Sequence, residues 1–94
     1  MIKIRVSGKF DLGYKRLIFL EPQLKETVWN KIKIFRKKPL DSRLRNHPLK
    51  GRLKGKWAFS ITDNIRIVYE WKSKTVARFL AIGKHEDIYK TPLL

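Results

Sequence analysis

The sequence predicts an α+β fold, in which a small antiparallel sheet carries two N-terminal helices on one face. Three observations predict it: an alternating segment opens the chain, two segments with helical spacing follow, and the remainder alternates between apolar and polar residues with turns between. The predicted order is strand, helix, helix and then four strands. At 94 residues the chain can bury one modest core, so we expect a single domain over residues 1–94.

The N-terminal part predicts the first strand and both helices. Residues 2–6 alternate apolar with basic side chains and stop at Ser7, a residue type that caps helices well. A break at Glu21-Pro22 separates the two helices, and Lys37-Lys38-Pro39 ends the second. We expect a helical hairpin on the sheet, with apolar stripes at Phe10, Tyr14, Leu17 and Ile18, then at Leu24, Val28, Ile32 and Phe35.

Residues 47–69, HPLKGRLKGKWAFSITDNIRIVY, organise the rest of the predicted sheet. In an extended chain Lys50, Arg52 and Lys54 would share the face opposite to Leu49, Gly51 and Leu53, which predicts a strand with one apolar and one cationic side. The alternation after Gly55 predicts a half-buried strand, and Asp63-Asn64 predicts a hairpin turn into residues 65–71.

The predicted sheet ends with a strand over residues 76–82, reached by a turn at residues 72–74 and closed by Gly83. The segment after it, residues 84–89, fits a single helical turn or a loop. Four aromatic side chains are expected in the core, although Trp71 near a strand end also suits a platform for base stacking: Trp29, Trp57, Phe59 and Trp71.

The charge of the chain is its most unusual property. Twenty-three Lys and Arg against eight Asp and Glu give a net charge of +15, which favours a phosphate backbone, an anionic membrane or an acidic protein as partner. The absence of cysteine excludes disulfides and thiolate metal sites. With no apolar run near the roughly 18 residues of a membrane span and no signal-peptide pattern, we expect a soluble cytoplasmic protein that does not act at a membrane.

Four segments together resemble a known family: KKPLD at residues 37–41, NHPLKGRLKG at 46–55, RIVYEW at 66–71 and AIGKHEDIY at 81–89. In this order and spacing they are similar to the RelE/ParE superfamily of type II toxins, and most of all to its RelE/StbE, YafQ-like branch. The resemblance covers nearly the whole chain. It implies a RelE-like fold and a small basic endoribonuclease that cleaves mRNA, often on the ribosome, and that is silenced by a cognate antitoxin.

The resemblance also implies functional residues. The family's catalytic positions match His47, Arg66, His85 and Tyr89, and its basic positions on the second strand match Lys50, Arg52 and Lys54. Arg43 and Arg45, in the strongly basic connection before His47, are further candidates for RNA contact. YafQ-like members carry a second histidine and an aspartate in the third strand and its turn, where this chain has Ser60 and Asn64.

The residues support the same chemistry without the family. RNA cleavage that uses the substrate's own 2′-hydroxyl requires a base, an acid for the leaving 5′-oxygen and cations around the charged phosphorane. Histidine is the natural acid or base near neutral pH, and Arg66 with the basic stretch supplies cations. Such an enzyme would leave a 2′,3′-cyclic phosphate and would need no metal or cofactor.

Each candidate also has a structural interpretation. His47, which precedes Pro48, fits a loop-bridging role, and Tyr89 fits C-terminal packing. Arg66 fits a charge pair with Glu70 on the same strand face. The basic stretch fits an ordinary solvated face or the protection of an edge strand. His85, at a strand end where functional loops lie, is the strongest catalytic candidate.

Two other functions remain open from the sequence. A ParE-like toxin has the same fold but poisons DNA gyrase by binding alone, and it would not require an ionisable group at position 85. A non-catalytic nucleic-acid-binding module would rely on net charge and would show steep salt dependence without a cleavage product. The partners that we expect are an antitoxin, mRNA and the ribosome.

Overall fold

The computed structural model of the protein describes residues 1–89, which form one five-stranded sheet with two helices packed on one face. The elements are β1 (Lys3–Val6), α1 (Gly8–Leu20), α2 (Leu24–Lys37), β2 (His47–Pro48), β3 (Trp57–Ser60), β4 (Ile65–Trp71), β5 (Val76–Lys84) and α3 (His85–Ile88). The strand order is β1-β5-β4-β3-β2, and this arrangement confirms the predicted α+β fold.

The sheet is mixed rather than purely antiparallel. Strands β2 to β5 pair antiparallel, but β1 lies parallel to β5 at the far edge, with Lys3 opposite Val76 and Val6 opposite Phe79. The Lys3 backbone N–H donates to the Thr75 carbonyl at 2.8 Å, and this bond begins the pairing. The first and last strands of the sequence are therefore neighbours in space.

Ser7 joins the start of α1 to the sheet. Its hydroxyl oxygen accepts a hydrogen bond from the Phe10 N–H at 3.0 Å, which confirms the predicted N-cap, and its hydroxyl donates to the Leu80 carbonyl at 3.1 Å. One turn later α1 comes close to β5 at Gly13, where an added Cβ would lie 3.1 Å from the Ile82 carbonyl oxygen. The cap and the close approach together fix α1 against β5.

Phe35 lies at the centre of the main core, between the helices and the sheet. It is fully buried, and its ring centroid lies 4.8 Å from Phe59, 4.9 Å from Tyr69, 5.6 Å from Phe79 and 5.8 Å from Trp71. These rings meet in stacked and edge-to-face pairs, which add to the stability gained from burial alone. The predicted stripe of α2 is therefore the helical half of the core.

The core prediction is confirmed for Trp71 and wrong for Trp29. Trp71 stacks on Phe35, so it belongs with the core rather than with an exposed stacking platform. Trp29 was expected in the core, but it is 47% exposed and its indole N–H donates to the Tyr14 hydroxyl at 2.9 Å. Trp29 lies beside the buried stripe of α2, and partly buried Tyr14 of α1 is its partner.

The face of the sheet turned away from α1 and α2, called here the second face, is buried at its middle. Ala58, Val68 and Ala81 lie there under Ile88, because α3 folds back across the sheet directly after β5. Strand β3 is consequently buried on both sides, whereas the sequence pattern predicted a half-buried strand. Small side chains at positions 58 and 81 leave room for this second, smaller cluster.

The predicted strand over residues 49–54 is wrong. Strand β2 comprises only His47 and Pro48, and Gly51–Leu53 forms a 3-10 turn. The turn is closed by hydrogen bonds from the Leu53 N–H to the Lys50 carbonyl and from the Lys54 N–H to the Gly51 carbonyl. Gly51 and Gly55 have φ values of 66° and 92°, a left-handed conformation that interrupts extended backbone.

The central position of Phe35 gives a stability prediction. Phe35→Ala should lower the free energy of unfolding by about 3–5 kcal/mol, because it leaves a cavity among four aromatic rings. Phe19→Ala is the matched control, since Phe19 is 84% exposed, and it should change stability by less than about 0.5 kcal/mol. Urea denaturation of both variants checks this, and equal losses would show that Phe35 is not the centre of the core.

Candidate functional site

Arg66 lies on the second face, near the end of the sheet where α3 begins. On β3 its neighbour is Ser60, and on β5 it is Gly83. Its guanidinium Nη1 donates to the Thr62 carbonyl at 2.7 Å and to the Ile65 carbonyl at 3.4 Å. The β3–β4 hairpin therefore orients the side chain, and within residues 1–89 both of its hydrogen bonds leave from Nη1.

The alternative interpretation of Arg66, a charge pair with Glu70, is wrong. The Glu70 carboxylate instead lies 3.9 Å from both Lys56 Nζ and Lys72 Nζ. Arg66 and Glu70 share a face, but four residues of strand separate them by about 13 Å. The charge of Arg66 is thus left unneutralised by Glu70.

Helix α3 brings His85 and Tyr89 to the same end of the second face. The His85 backbone N–H donates to the Asn64 carbonyl at 2.7 Å, which joins the start of α3 to the tip of the β3–β4 hairpin. The rings of His85 and Tyr89 meet edge to face with centroids 4.8 Å apart. The single helical turn, one of the two conformations expected for this segment, is therefore what positions both side chains.

The Tyr89 phenol is half-buried and is affected by Arg66. Burial raises the pKa of Tyr89, and the nearby charge of Arg66 acts in the opposite direction. Because the net direction is upward, the phenol is protonated at neutral pH and acts as a hydrogen-bond donor or proton source rather than as a base. Three of the four predicted catalytic residues, Arg66, His85 and Tyr89, are thus brought together.

His47 is separated from that group. It pairs with Ala58 across β2 and β3, so it shares the second face with Arg66 but lies two strands across and two residues along from it, about 12 Å in all. The imidazole is exposed, and its Nδ1 lies 2.9 Å from the Arg45 carbonyl oxygen. A neutral ring that donates from Nδ1 to this carbonyl has its lone pair at Nε2.

A buried hydrogen-bond chain that the sequence analysis missed holds the segment before His47. The hydroxyl of fully buried Tyr69 donates to Asn46 Oδ1 at 2.9 Å, and Asn46 Nδ2 donates to the Pro39 carbonyl at 2.9 Å. Burial raises the pKa of Tyr69 to about 12, so the phenol stays a donor. No local pattern in the sequence marks this link, because it joins residues 23 positions apart.

The three basic residues of the predicted second strand are exposed in the 3-10 turn and beside it. Lys50 and Lys54 flank the turn, and both face solvent. Arg52 within it donates from Nη2 to the backbone carbonyl of Tyr89. One of the three cations therefore contacts Tyr89, the C-cap of α3, while the two lysines remain available to a ligand.

Arg43 and Arg45 each meet a carboxylate. Arg43 donates from Nε and Nη2 to the two oxygens of Asp41, at 3.0 and 2.9 Å, and these bonds hold the pKa of Asp41 well below its usual range. Arg45 donates to Asp63 at 2.9 Å. The two arginines proposed for RNA contact are therefore partly neutralised within the protein itself.

Within residues 1–89, no group of three or more His, Asp or Glu side chains converges on a point that could hold a metal ion. Among the helices of the same residues, none combines the length and the apolar character needed to cross a bilayer.

The family model for YafQ, described as the bacterial toxin of a type II toxin-antitoxin system, matches residues 2–90. The chain belongs to this family. A comparison with curated proteins gives no match. The YafQ-family match spans the sheet, both helices and every candidate residue discussed above, and it confirms the resemblance inferred from the four sequence segments.

Solved structures have the same fold. A copper-bound mutant toxin from Helicobacter pylori superposes with a TM-score of 0.78 at 26% identity, covering 94% of this chain and 99% of the other. YafQ from Escherichia coli gives 0.78 at 19% identity, covering 95% and 99%. YafQ in the Escherichia coli DinJ-YafQ complex gives the same values. The two lower identities establish the fold alone.

The exposed lysines yield a binding prediction. Lys50→Ala with Lys54→Ala should lower the salt dependence of single-stranded RNA binding, by a slope of about 0.7 for each phosphate contact removed. Arg43→Ala with Arg45→Ala removes the same net charge, but both of these cations already form ion pairs with carboxylates of the protein. The slope of log affinity against log salt should therefore fall less. Fluorescence anisotropy across a salt series measures both slopes, and equal slopes would contradict a footprint on the turn.

Proposed function

We propose that this YafQ-family protein is an endoribonuclease toxin that cleaves mRNA, in association with the ribosome and without a metal ion. The observation that carries the proposal is the meeting of Arg66, His85 and Tyr89 at one end of the second face. These side chains supply a fixed cation and two proton-bearing groups. The net charge of +15 favours a polyanionic substrate.

The proposed reaction is an intramolecular transesterification. The 2′-hydroxyl of the RNA loses its proton to a base, and its oxygen forms a bond to the adjacent phosphorus. The bond from phosphorus to the 5′-oxygen breaks, and that oxygen takes a proton from an acid. The products are a 2′,3′-cyclic phosphate and a 5′-hydroxyl, so one proton is taken up and one is returned, with no oxidant, reductant or water consumed.

Arg66 and Tyr89 suit the charged phosphorane. A guanidinium presents several donors in a fixed plane, and it matches the geometry of phosphate oxygens better than a lysine ammonium does. Its hairpin contacts orient Arg66 before substrate arrives, which avoids a reorganisation cost in the transition state. The protonated Tyr89 phenol beside it offers a second donor to the same oxygens.

His85 and His47 suit the two proton transfers. We assign His85 to the 5′-oxygen leaving group, because it lies with Arg66 and Tyr89 and its imidazole carries an N–H that can be donated. His47 presents Nε2 as a base from strand β2, two strands away from Arg66. In-line displacement needs acid and base on opposite sides of the phosphorus, and His85 and His47 lie on opposite sides of Arg66 in the strand order.

Ser60 and Asn64 replace titratable residues of YafQ-like relatives, so the chemistry depends on fewer groups. Ser60 is buried beside Arg66 on β3, where it lies among packed residues of the sheet. The backbone carbonyl of Asn64 accepts the hydrogen bond from His85, so the residue positions α3 through its main chain. The proposed site therefore relies on His85, Arg66 and Tyr89, with His47 as the fourth member.

The proposed partner is an antitoxin with acidic character. Structures of DinJ with YafQ show a relative of this chain in a toxin-antitoxin complex. The strong positive charge of the chain would favour an acidic segment that orders on binding and covers the site. Such a segment would block RNA from reaching Arg66 and His85.

The mechanism gives a kinetic prediction. His85→Gln should keep the fold and the RNA affinity while slowing cleavage by about 10²–10⁴-fold, the usual contribution of one general acid or base. Arg66→Lys should also slow cleavage, because a point charge cannot reproduce the two-pronged guanidinium contact. The double variant should lose less than the sum of the two, since both groups act on one transition state.

Single-turnover cleavage of ribosome-bound mRNA, with binding measured in parallel, tests the substitutions, and cleavage of free RNA with EDTA present tests metal independence. Lys25→Gln is a control on the far side of the sheet, and it should cleave as the wild type does. Cleavage by His85→Gln at the wild-type rate would contradict the assignment and would make Tyr89 or His47 the candidate acid. A loss of wild-type activity in EDTA would contradict metal independence.

A cellular prediction follows from the same proposal. Expression of the chain alone should arrest growth, because cleavage of mRNA stops protein synthesis, and the His85→Gln, Arg66→Lys double variant should restore growth at equal expression. Colony counts and immunoblots after induction measure both. Robust growth with folded wild-type protein present at the same level as the variant would contradict the toxin role.

A further inference from the structure

A row of charged side chains crosses the second face at the end away from His85. Lys56, Glu70, Arg78 and Arg5 align in register, since Glu70 pairs with Arg78 across β4 and β5, and Arg78 pairs with Arg5 across β5 and β1. Lys56 comes one position before the pair Trp57 and Tyr69, which puts it opposite Glu70. This set of four residues is called here the distal row, and it spans about 14 Å at three strand spacings.

The distal row is unbalanced in charge. Its one carboxylate, Glu70, already lies 3.9 Å from Lys56 Nζ and from Lys72 Nζ, the latter just beyond the row. Arg78 and Arg5 lie side by side on neighbouring strands, both exposed, and within residues 1–89 neither forms an ion pair with a carboxylate. Like charges directly across a sheet are destabilising, so the pair has a cost within the protein alone.

Protection of an exposed sheet edge does not explain this pair. Arg5 lies on the edge strand β1, where a cation discourages pairing with another chain. Arg78 lies on β5, an interior strand already paired on both sides at this position. The adjacent cations are better explained by an external anion that bridges them.

We infer that Arg5 and Arg78 form a second phosphate-binding subsite for RNA, on the same face as Arg66 and apart from the cleavage site. The inference depends on the proposed function for the identity of the polyanion. Glu70 and Arg78 lie about 13 Å along the strands from Arg66. This distance corresponds to about four stacked nucleotides at roughly 3.4 Å each, so the subsite binds the chain several nucleotides from the scissile phosphate.

RNA fits the distal row better than a protein segment does. Protein interfaces bury an apolar centre with a polar rim, whereas every member of the distal row is charged. Phosphate contacts position a polynucleotide without reading its sequence. The subsite should therefore raise affinity for all sequences alike and hold the RNA in register with Arg66.

The test measures the salt dependence of binding for a 2′-O-methyl RNA of about 12 nucleotides, roughly 40 Å when stacked, which lacks the attacking hydroxyl. Arg5→Gln with Arg78→Gln should lower the slope of log affinity against log salt by about 1.4, because two single-strand phosphate contacts are lost at about 0.7 each. Arg5→Lys with Arg78→Lys keeps both charges and should retain the wild-type slope.

Lys25→Gln with Lys33→Gln is the matched control. It removes the same net charge from exposed positions of α2, which packs on the opposite face of the sheet, and its slope should stay close to that of the wild type. Thermal melts establish that the variants are folded, and removal of Arg5 and Arg78 should not lower the melting temperature because it relieves a repulsion. Equal slopes for the two glutamine pairs would overturn the subsite.

Cleavage of unmodified RNA by the same proteins separates this inference from the proposed function. A wild type that cleaves, together with equal slopes for the two glutamine pairs, would overturn only the subsite and would leave the arginine pair as a protein contact. A wild type that does not cleave, together with the expected loss of slope, would overturn the nuclease and keep the distal row as a polyanion site.

Discussion

The antiparallel pairing of β4 with β5 decides which side chains enter the core and which face the candidate site. These are the two longest strands, and their register places Tyr69 and Phe79 in the main core while Arg66 and Gly83 meet on the other face. Between Val68 and Tyr69 the pairing has a bulge, at which one residue of β5 has no partner on β4. Because of this bulge, Tyr69 and Phe79 share the core face, while Arg66 and Gly83 share the other. A shift of one residue would bury Arg66 and expose the aromatic core.

The second constraint is the short distance between the sheet and α3. Gly83 faces Ile88 so closely that an added Cβ would lie 3.1 Å from Ile88 Cγ2. Ala58 and Ala81 complete the small-residue floor on which Ile88 packs. Because α3 is one turn long, its position depends on this floor and on the hydrogen bond from His85 to Asn64. The packing of a small apolar cluster thus positions the residues proposed for the chemistry.

Charge is distributed in two ways over the surface. Several cations meet carboxylates within the protein, as Arg43 does with Asp41 and Arg45 with Asp63. Surface pairs of this kind add little stability, but they remove a positive charge from the surface open to a ligand. The lysines beside the 3-10 turn and the arginines of the distal row retain theirs. The net charge of the chain therefore does not report directly which cations are available to RNA.

Local sequence patterns specify the number, order and type of the main elements. Local alternation, helical spacing, the Ser7 cap and the Asp63-Asn64 turn each act over a few residues, so they can be read from the chain. The sequence also singled out Arg66, His85 and Tyr89. The strand predicted over residues 49–54 is wrong because alternation outweighed the left-handed conformations of Gly51 and Gly55.

Strand pairing and packing between distant segments select which of these residues meet. The parallel pairing of β1 with β5 joins the two ends of the chain, and it alone places Arg5 beside Arg78. The fold of α3 onto the second face brings Tyr89 to Arg66, whereas the strand order leaves His47 two strands away. The link from Tyr69 to Asn46 is likewise non-local. Contacts of this kind depend on the sheet register and on the packing of both its faces, and no local sequence pattern encodes them.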